Sequence, residues 1–241
     1  VKIENGKGMT FQRVSGLPQL RPLQTLSLSG KRHYILPDKS IVPSVTTLLG
    51  HFEDKGIRRW RAKVGYDEAD RISEEARVRG EAYHSLLEDY LDNTPIDKIL
   101  SRPELVKVGP RLSQNFFCTL PYLNRITNIH YQETCLYSLA LKLAGRCDVI
   151  AEFDGALSVI DFKTARKEKK EEYIQNYFEQ ATCYSLMYEE LVGVEVPQIV
   201  ILIAADQENG ASTLQCFVKQ AKDYKSSLMR KIDAYHTGKE I

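Results

Sequence analysis

Gly145–Thr164 reads GRCDVIAEFDGALSVIDFKT, and the pairing it implies decides the fold. Asp154-Gly155 is a two-residue hairpin turn flanked by β-branched and apolar runs. With those two residues as the loop, Phe153 faces Ala156. The ladder then carries back through Ile150–Val159 and Val149–Ile160 to set Asp148 against Asp161. Directly opposed residues on an antiparallel pair have Cβ atoms about 4.5–5.5 Å apart. Two like charges there repel, and aspartate is a poor strand residue. A cation between the two carboxylates resolves the conflict. Lys163 follows Asp161 by two residues, so the strand period puts it on the same face.

A lone Asp-x-Lys is more often an ordinary surface pair, and Asp148 alone could be an exposed edge residue. The neighbours argue otherwise. Val149 and Ile160 fall on one face and Ile150 and Val159 on the other, so both faces are apolar, as in a central strand pair covered on both sides. Carboxylates buried there must be paired or bind metal.

The chain has 241 residues, 43% hydrophobic and 27% charged, the balance of a soluble globular protein. No apolar run of about 18 residues exists, so no membrane span is expected. The start, VKIENGKG, is neither a signal peptide nor an Arg-rich transit sequence; it begins without methionine, which leaves an upstream address open. Cys118, Cys135, Cys147, Cys183 and Cys216 form no CxxC or zinc-like spacing. They read as reduced thiols in an intracellular compartment, and no tight thiolate group exists for an iron–sulfur cluster. Net charge is +1. Basic residues nevertheless gather at Arg58–Lys63, at Arg166–Lys170 and along Lys219–Lys231. Any one run is an ordinary solvated face, but three together favour a phosphate-lined groove.

Along the chain, residues 1–30 read as an irregular arm. His33–Val42 is a hairpin around Pro37-Asp38-Lys39, and Ser44 opens a short helix ended by Gly50. Lys55–Val64 is a helix anchored by Trp60. A longer one runs from Asp67 to about Leu91, its apolar stripe interrupted by Gly80, where a backbone or ligand can approach. SRPE at Ser101–Glu104 is a capping box, and Pro110 restarts a helix towards Tyr122. Strands at 130–138, 143–152 and 157–164 form a meander. Lys167–Leu191 is a helix, Gln198–Ala205 and Thr213–Val218 a second hairpin, and Gln220–Tyr235 a last helix. The order describes a mixed α/β (α+β) chain read as a single domain over 1–241: a mostly helical part with a small hairpin (1–125), then the sheet and flanking helices (126–241).

On the helix after the central hairpin, Gln180 and Tyr184 are four apart and share a face. His84 and Glu88 share one on the long helix, with Gly80 one turn earlier. A lone helical histidine is more often packed or solvated than a ligand. Taken together, Asp148, Asp161-Phe162-Lys163 and Gln180/Tyr184 resemble the active-site motifs of the PD-(D/E)XK nuclease superfamily. Arg79, Gly80, His84 and Glu88 resemble the upstream histidine motif of its RecB-type exonuclease branch. Pro43–Thr46, Trp60-Arg61 and His84 echo the mitochondrial genome-maintenance and phage exonucleases of that branch. The likeness covers most of residues 33–235.

The resemblance implies a restriction-endonuclease-like core, with a central mixed sheet flanked by helices. It implies that Asp148 and Asp161, with the Phe162 carbonyl and His84, bind Mg²⁺ or Mn²⁺. Lys163 orients the attacking water or offsets charge on the phosphate, and Gln180 and Tyr184 hold the DNA or the lysine. Glu133 lies in the preceding strand, where many relatives carry a glutamate, and is not assigned. Trp60, Arg61, Arg79, Thr164, Arg166 and Lys167 are expected to contact nucleic acid. Of the aromatics near them, Tyr83 reads as core. The expected activity is a stand-alone DNA exonuclease on single-stranded ends. The alternatives are a phage recombination exonuclease on duplex ends, a non-catalytic nucleic-acid-binding module, and a small-molecule phosphodiesterase. A single-strand-binding or recombination protein is the partner such an enzyme implies. The expected setting is the cytoplasm of a bacterium or phage-infected cell, with the mitochondrial matrix as the other candidate. No GxxxxGK[ST] loop is present, which argues against a helicase.

Overall fold

The structure, a computed structural model, describes residues 10–52 and 54–239. The central hairpin folds as read. Asp154 and Gly155 both take positive φ, 53° and 78°, as a two-residue turn between twisted strands requires. Strands β5 (Leu143–Phe153) and β6 (Ala156–Ala165) pair from Phe153–Ala156 to Val149–Ile160. They are the middle of a five-stranded sheet of order β4-β5-β6-β7-β8, with β4 at Ile126–Ser138, β7 at Gln198–Asp206 and β8 at Ser212–Gln220. The β6–β7 pair is parallel and the others antiparallel. A parallel neighbour needs a crossover, and helix α7 (Gln175–Val192) supplies it.

Both faces of the sheet are covered. Ile150, Val159, Ile199 and Ile201 pack with α7, with α1 (Val45–Phe52) and with α8 (Ala221–Thr237). Val149, Ile160, Val200 and Leu202 pack with α3 (Tyr66–Leu91), α5 (Pro103–Val108) and α6 (Pro110–Leu123). Helices α2 (Asp54–Val64) and α4 (Ile96–Leu100) complete the N-terminal half. The fold is mixed α+β, a five-strand mixed sheet flanked by helices, consistent with a restriction-endonuclease-like core.

Three readings change. The expected arm over residues 1–30 contains a strand, β1 (Gln24–Leu28), which joins β2 (Lys31–Ile35) and β3 (Ile41–Pro43) in a small antiparallel sheet. Ser29-Gly30, both at positive φ, is the turn that went unread. Residues 1–9 of that arm, with the VKIENGKG start, lie outside the described residues. Ser101 does not cap α5; its hydroxyl donates to the Lys98 carbonyl and closes α4 instead. Helix α7 begins at Gln175, not Lys167, because the Gln215 side chain accepts from the Lys169 N–H and donates to its C=O, the groups a helix would use. Among the described residues nothing stands where a Gly80 side chain would, so the space beside it is open to the approach read there. Among the described residues, no helix is long and apolar enough to cross a membrane, and all five cysteines are free.

Candidate active site

The β5–β6 ladder stops at Val149–Ile160, one residue short of the expected Asp148–Asp161 pair. Beyond it β5 stays with β4 and β6 stays with β7, so the two strands fork. Asp148 fills the fork: its Oδ2 accepts the Phe162 N–H at 2.8 Å. A side chain thus replaces the ladder partner that Phe162 lacks on this side. Asp161 is almost fully buried, and the Lys163 ammonium lies against its Oδ2. That oxygen receives no well-directed hydrogen bond, so its burial rests on the Lys163 ion pair, with room for a further cation to share it.

Helix α3 brings His84 to the same opening. Its Nε2 is 2.9 Å from the Phe162 carbonyl, which can only accept, so Nε2 donates. Its Nδ1 lies 3.5 Å from Asp148 Oδ1 and 3.9 Å from Glu133 Oε1. One ligand atom each from His84, Glu133 and Asp148 lies within 4.8 Å of the others. Glu133 falls opposite Asp148 between the pairs Gln132–Val149 and Thr134–Cys147. It takes φ of 49° in mid-strand, a left-handed conformation that a glutamate adopts at a cost of about 1–3 kcal/mol. Its other oxygen forms an ion pair with Arg146 Nε at 2.6 Å.

The electrostatics follow from burying these groups together. Burial raises the Asp161 carboxyl, and Asp148 adds to this against the pull of Lys163, leaving it at about 6. Burial would also raise Asp148, but His84, Lys163 and the Phe162 N–H outweigh it and hold it low. Burial disfavours the charged imidazole of His84; Asp148 and Glu133 reverse that and push it up to about 10. Lys163 keeps its proton for the same reason, Asp161 and Asp148 outweighing the cost of burial. Here His84 and Lys163 are the cations among the carboxylates.

From α7, Gln180 Nε2 reaches the Tyr184 hydroxyl at 3.5 Å. Burial and the nearby acids push that phenol well above its usual range. The Tyr184 ring lies on Gly145: a Cβ there would be 2.6 Å from Tyr184 Cε1. The Tyr177 ring stands 5.3 Å from Lys163 Nζ, within cation–π range. Gly145, Arg146 and Tyr177 were not singled out in the sequence. A turn read at residues 139–142 would have put Glu133 opposite Asp148, and Arg146 two positions on, opposite Cys135.

The expected nucleic-acid contacts divide. Arg79 is turned inward, 3.4 Å from both Thr164 Oγ1 and buried Asp206 Oδ2. Arg166 pairs with Glu75 at 2.8 Å, and Lys167 is exposed. Trp60 is 36% exposed; Arg61 pairs with Asp70 and lies over the Tyr66 ring. Tyr83 is fully buried against Thr119, as core.

Residues 57–236 match the PD-(D/E)XK nuclease superfamily. The chain is 27% identical over 150 residues to mitochondrial genome maintenance exonuclease 1 of Homo sapiens, covering 58% of this chain and 41% of that protein. The Mus musculus protein of the same name is 27% identical over 139 residues, covering 54% and 39%. The chain thus spans about two-fifths of the length of these relatives. A candidate exonuclease from Eubacterium rectale, of solved structure, aligns over 68% of this chain and 69% of its own, at 8% identity and a TM-score of 0.40.

Proposed function

The chain belongs to the PD-(D/E)XK nuclease superfamily, and on that premise we propose that it is a divalent-metal-dependent DNA exonuclease acting on single-stranded ends. The observation that carries this is the fork: His84, Glu133 and Asp148 gather where β5 and β6 part, and the Asp161–Lys163 ion pair lies buried beside them. The donors fit a divalent cation. Asp161 Oδ2 is buried without a directed donor, and His84, Glu133 and Asp148 converge on one point. Asp148, Asp161, Glu133, His84 and the Phe162 carbonyl would hold Mg²⁺ or Mn²⁺. The imidazole favours Mn²⁺, since transition metals prefer nitrogen more than magnesium does. Such an ion polarises the phosphoryl oxygen and supplies hydroxide near neutral pH.

The chain's own residues do the rest. Lys163, paired with Asp161, orients the attacking water and stabilises charge on the phosphate. Asp148 fixes the Phe162 peptide, which holds the Phe162 carbonyl towards His84. Gln180 and Tyr184 position the strand or Lys163. Arg79, held by Asp206 and Thr164, with Thr164 itself and Arg166, Lys167, Trp60 and Arg61, provide phosphate and base contacts. Residues 1–241 act in this reading as one nuclease domain. A complete site disfavours the non-catalytic module.

End-labelled single- and double-stranded oligonucleotides, incubated with Mg²⁺, Mn²⁺ or EDTA, test the proposal. Stepwise shortening of single strands is expected with either metal, at least as fast with Mn²⁺, and none with EDTA. DNA binding without cleavage under any metal would overturn it, and degradation confined to duplex ends would overturn the strand preference.

A further inference from the structure

The parallel strands β6 and β7 end side by side, and arginines from two helices meet there. Asp206 closes β7 and is almost fully buried. Arg79 Nη1, from α3, lies 3.4 Å from its Oδ2, and Arg111 Nη1, from the first turn of α6, lies 3.5 Å from the same oxygen. Arg79 Nε also reaches Thr164 Oγ1 at 3.4 Å. Helix α6 is fixed at this point. Buried Asn115, one turn after Arg111, accepts from Ser212 Oγ at 2.6 Å, and Ser212 pairs with Asp206. The carboxylate is shared loosely by the two guanidiniums. Both contacts are longer than the roughly 2.7–2.9 Å of a charge-assisted hydrogen bond. Asp206 Oδ1 has no hydrogen bond among the described residues, so neither arginine makes the two-bonded fork that pairing with this acid alone would favour. Burial lowers the Arg79 pKa, and Arg166 and Arg111 add to that against the pull of Asp206 and Glu75. Thr164 lies two residues past Phe162, and Arg79 precedes His84 by five. The cluster is therefore set off from the candidate metal site by about 7 Å along both β6 and α3.

We propose that Arg79, Arg111 and Thr164 form one phosphate site, separate from the metal centre, which holds the phosphate adjoining the scissile one while Asp206 fixes both guanidiniums. This rests on the nuclease reading and deepens it by assigning Arg111, which that reading leaves without a role. Two planar forks and a hydroxyl suit the oxygens of a phosphate. One carboxylate shared by two guanidiniums leaves them attractive to a further anion. Asp206 is buried and Arg111 exposed, so that anion comes from the solvent side. The offset along β6 and α3 matches the scale on which neighbouring phosphates of one strand follow each other. A strand gripped there has its next phosphate placed at the metal centre, which lowers the entropy cost of reaching the reactive geometry. The adjoining phosphate is either an internal diester on the body of the strand or a monoester on its end.

The test follows cleavage of the first bond of a thymidine decanucleotide with Mn²⁺ at subsaturating substrate. Three substrates are compared: unmodified, with a neutral methylphosphonate at the second linkage from the digested end, and with a phosphate added at that end. If the site holds the diester, wild type cuts the methylphosphonate substrate about tenfold more slowly or worse, the worth of a hydrogen bond to a charged group. If it holds the monoester, the added phosphate speeds cleavage by about the same factor. In R111Q the preference that wild type shows shrinks to about threefold or less, because the fork that reads the charge is gone. The control K98Q, at an exposed lysine on α4, keeps it. Arg111 is exposed, so R111Q should fold, as equal thermal midpoints verify; T164V, with the same expected loss, serves should it not. No preference in wild type, or one unchanged in R111Q and T164V, overturns the site. Absence of any cleavage by wild type sinks the nuclease reading instead, and the site is then judged by anisotropy of the labelled decanucleotide in EDTA. The slope of log Kd against log salt should fall by about 0.7 in R111Q, one phosphate contact on a single strand, and stay unchanged in K98Q. An unchanged slope in R111Q overturns the phosphate site as well.

Discussion

The two ends of the β5–β6 hairpin are built from the same strands and do opposite things. At the turn end, five residue pairs lie in register with apolar side chains on both faces. At the open end the ladder is given up, and a carboxylate accepts the N–H that the lost partner strand would have served. The closed end satisfies every local rule and buries area. The open end violates several: like charges are buried together, a glutamate sits at positive φ, and a carboxylate oxygen is left without a directed donor. Such departures persist where surrounding structure holds them, and they mark function more than stability.

The sharpest way to break this contrast is a pair of neighbouring substitutions. Asp161→Asn should reduce cleavage of a labelled single strand by at least about a thousandfold, because it removes a charged donor from the metal set. Ile160→Ala, one residue away at the last closed pair, should cost about 2–5 kcal/mol in denaturant unfolding and leave the specific activity of the folded fraction within a few-fold. Comparable activity loss in both would erase the distinction between the two ends.

Protons sharpen it next. The His84 imidazole is raised from 6.5 to about 10 in the metal-free protein. A group whose folded pKa is raised stabilises the fold fully below its unfolded value, and that stability is lost as pH rises through the folded value. The thermal midpoint of metal-free protein should therefore fall between pH 6.5 and 10, and His84→Gln should flatten the decline. Metal uptake runs the other way, since a ligand imidazole must be neutral and Asp161, raised to about 6, must be ionised. Mn²⁺ affinity should gain about tenfold per pH unit near pH 7.5. Calorimetry in buffers of different ionisation enthalpy should detect about one proton released per ion; release of none would remove His84 from the ligand set.

Packing around the open end gives a third contrast. Gly145→Ala drives a methyl into the Tyr184 ring, which should cost about 1–3 kcal/mol as overpacking and slow cleavage by displacing Tyr184. Gly155→Ala at the turn meets no neighbour but suffers from its positive φ, so it should lower stability and spare activity. Unfolding curves and initial rates on the two variants separate the cases.

Much of this was legible because it rests on period and turn chemistry. Asp154-Gly155 fixed the hairpin, its register and both core faces, and the alternation around it put Lys163 beside Asp161. The fork was not legible: nothing in DVIAEF signals that pairing stops at Val149, because that depends on β4 and β7 each keeping its own strand. Glu133 was visible as an acid in a strand but its partner was not, since its register runs through a turn at 139–142 that has no Gly, Pro or Asn. Arg79 reads as an exposed helix cation until buried Asp206, more than a hundred residues away, is brought beneath it. Long-range pairing of charges is the part that local pattern does not carry.

Glu133 offers the smallest and most discriminating measurement. Its φ of 49° is open to glycine at no steric cost, whereas any residue with a Cβ is penalised by about 1–2 kcal/mol there. Removing the carboxylate removes the same contacts to Arg146 and His84 in Glu133→Gly and Glu133→Ala. The difference between these variants therefore reads the backbone alone. Glycine loses more freedom on folding, by about 0.5–1 kcal/mol, so the net preference for Glu133→Gly should be about 0.5–1 kcal/mol in urea unfolding, the reverse of the usual order in a strand. Both should lose activity alike if Glu133 is a metal ligand. Alanine as the more stable variant would mean that the strand relaxes at 133 once the carboxylate is gone, so that the left-handed backbone is imposed by the charge cluster itself and not by the sheet around it.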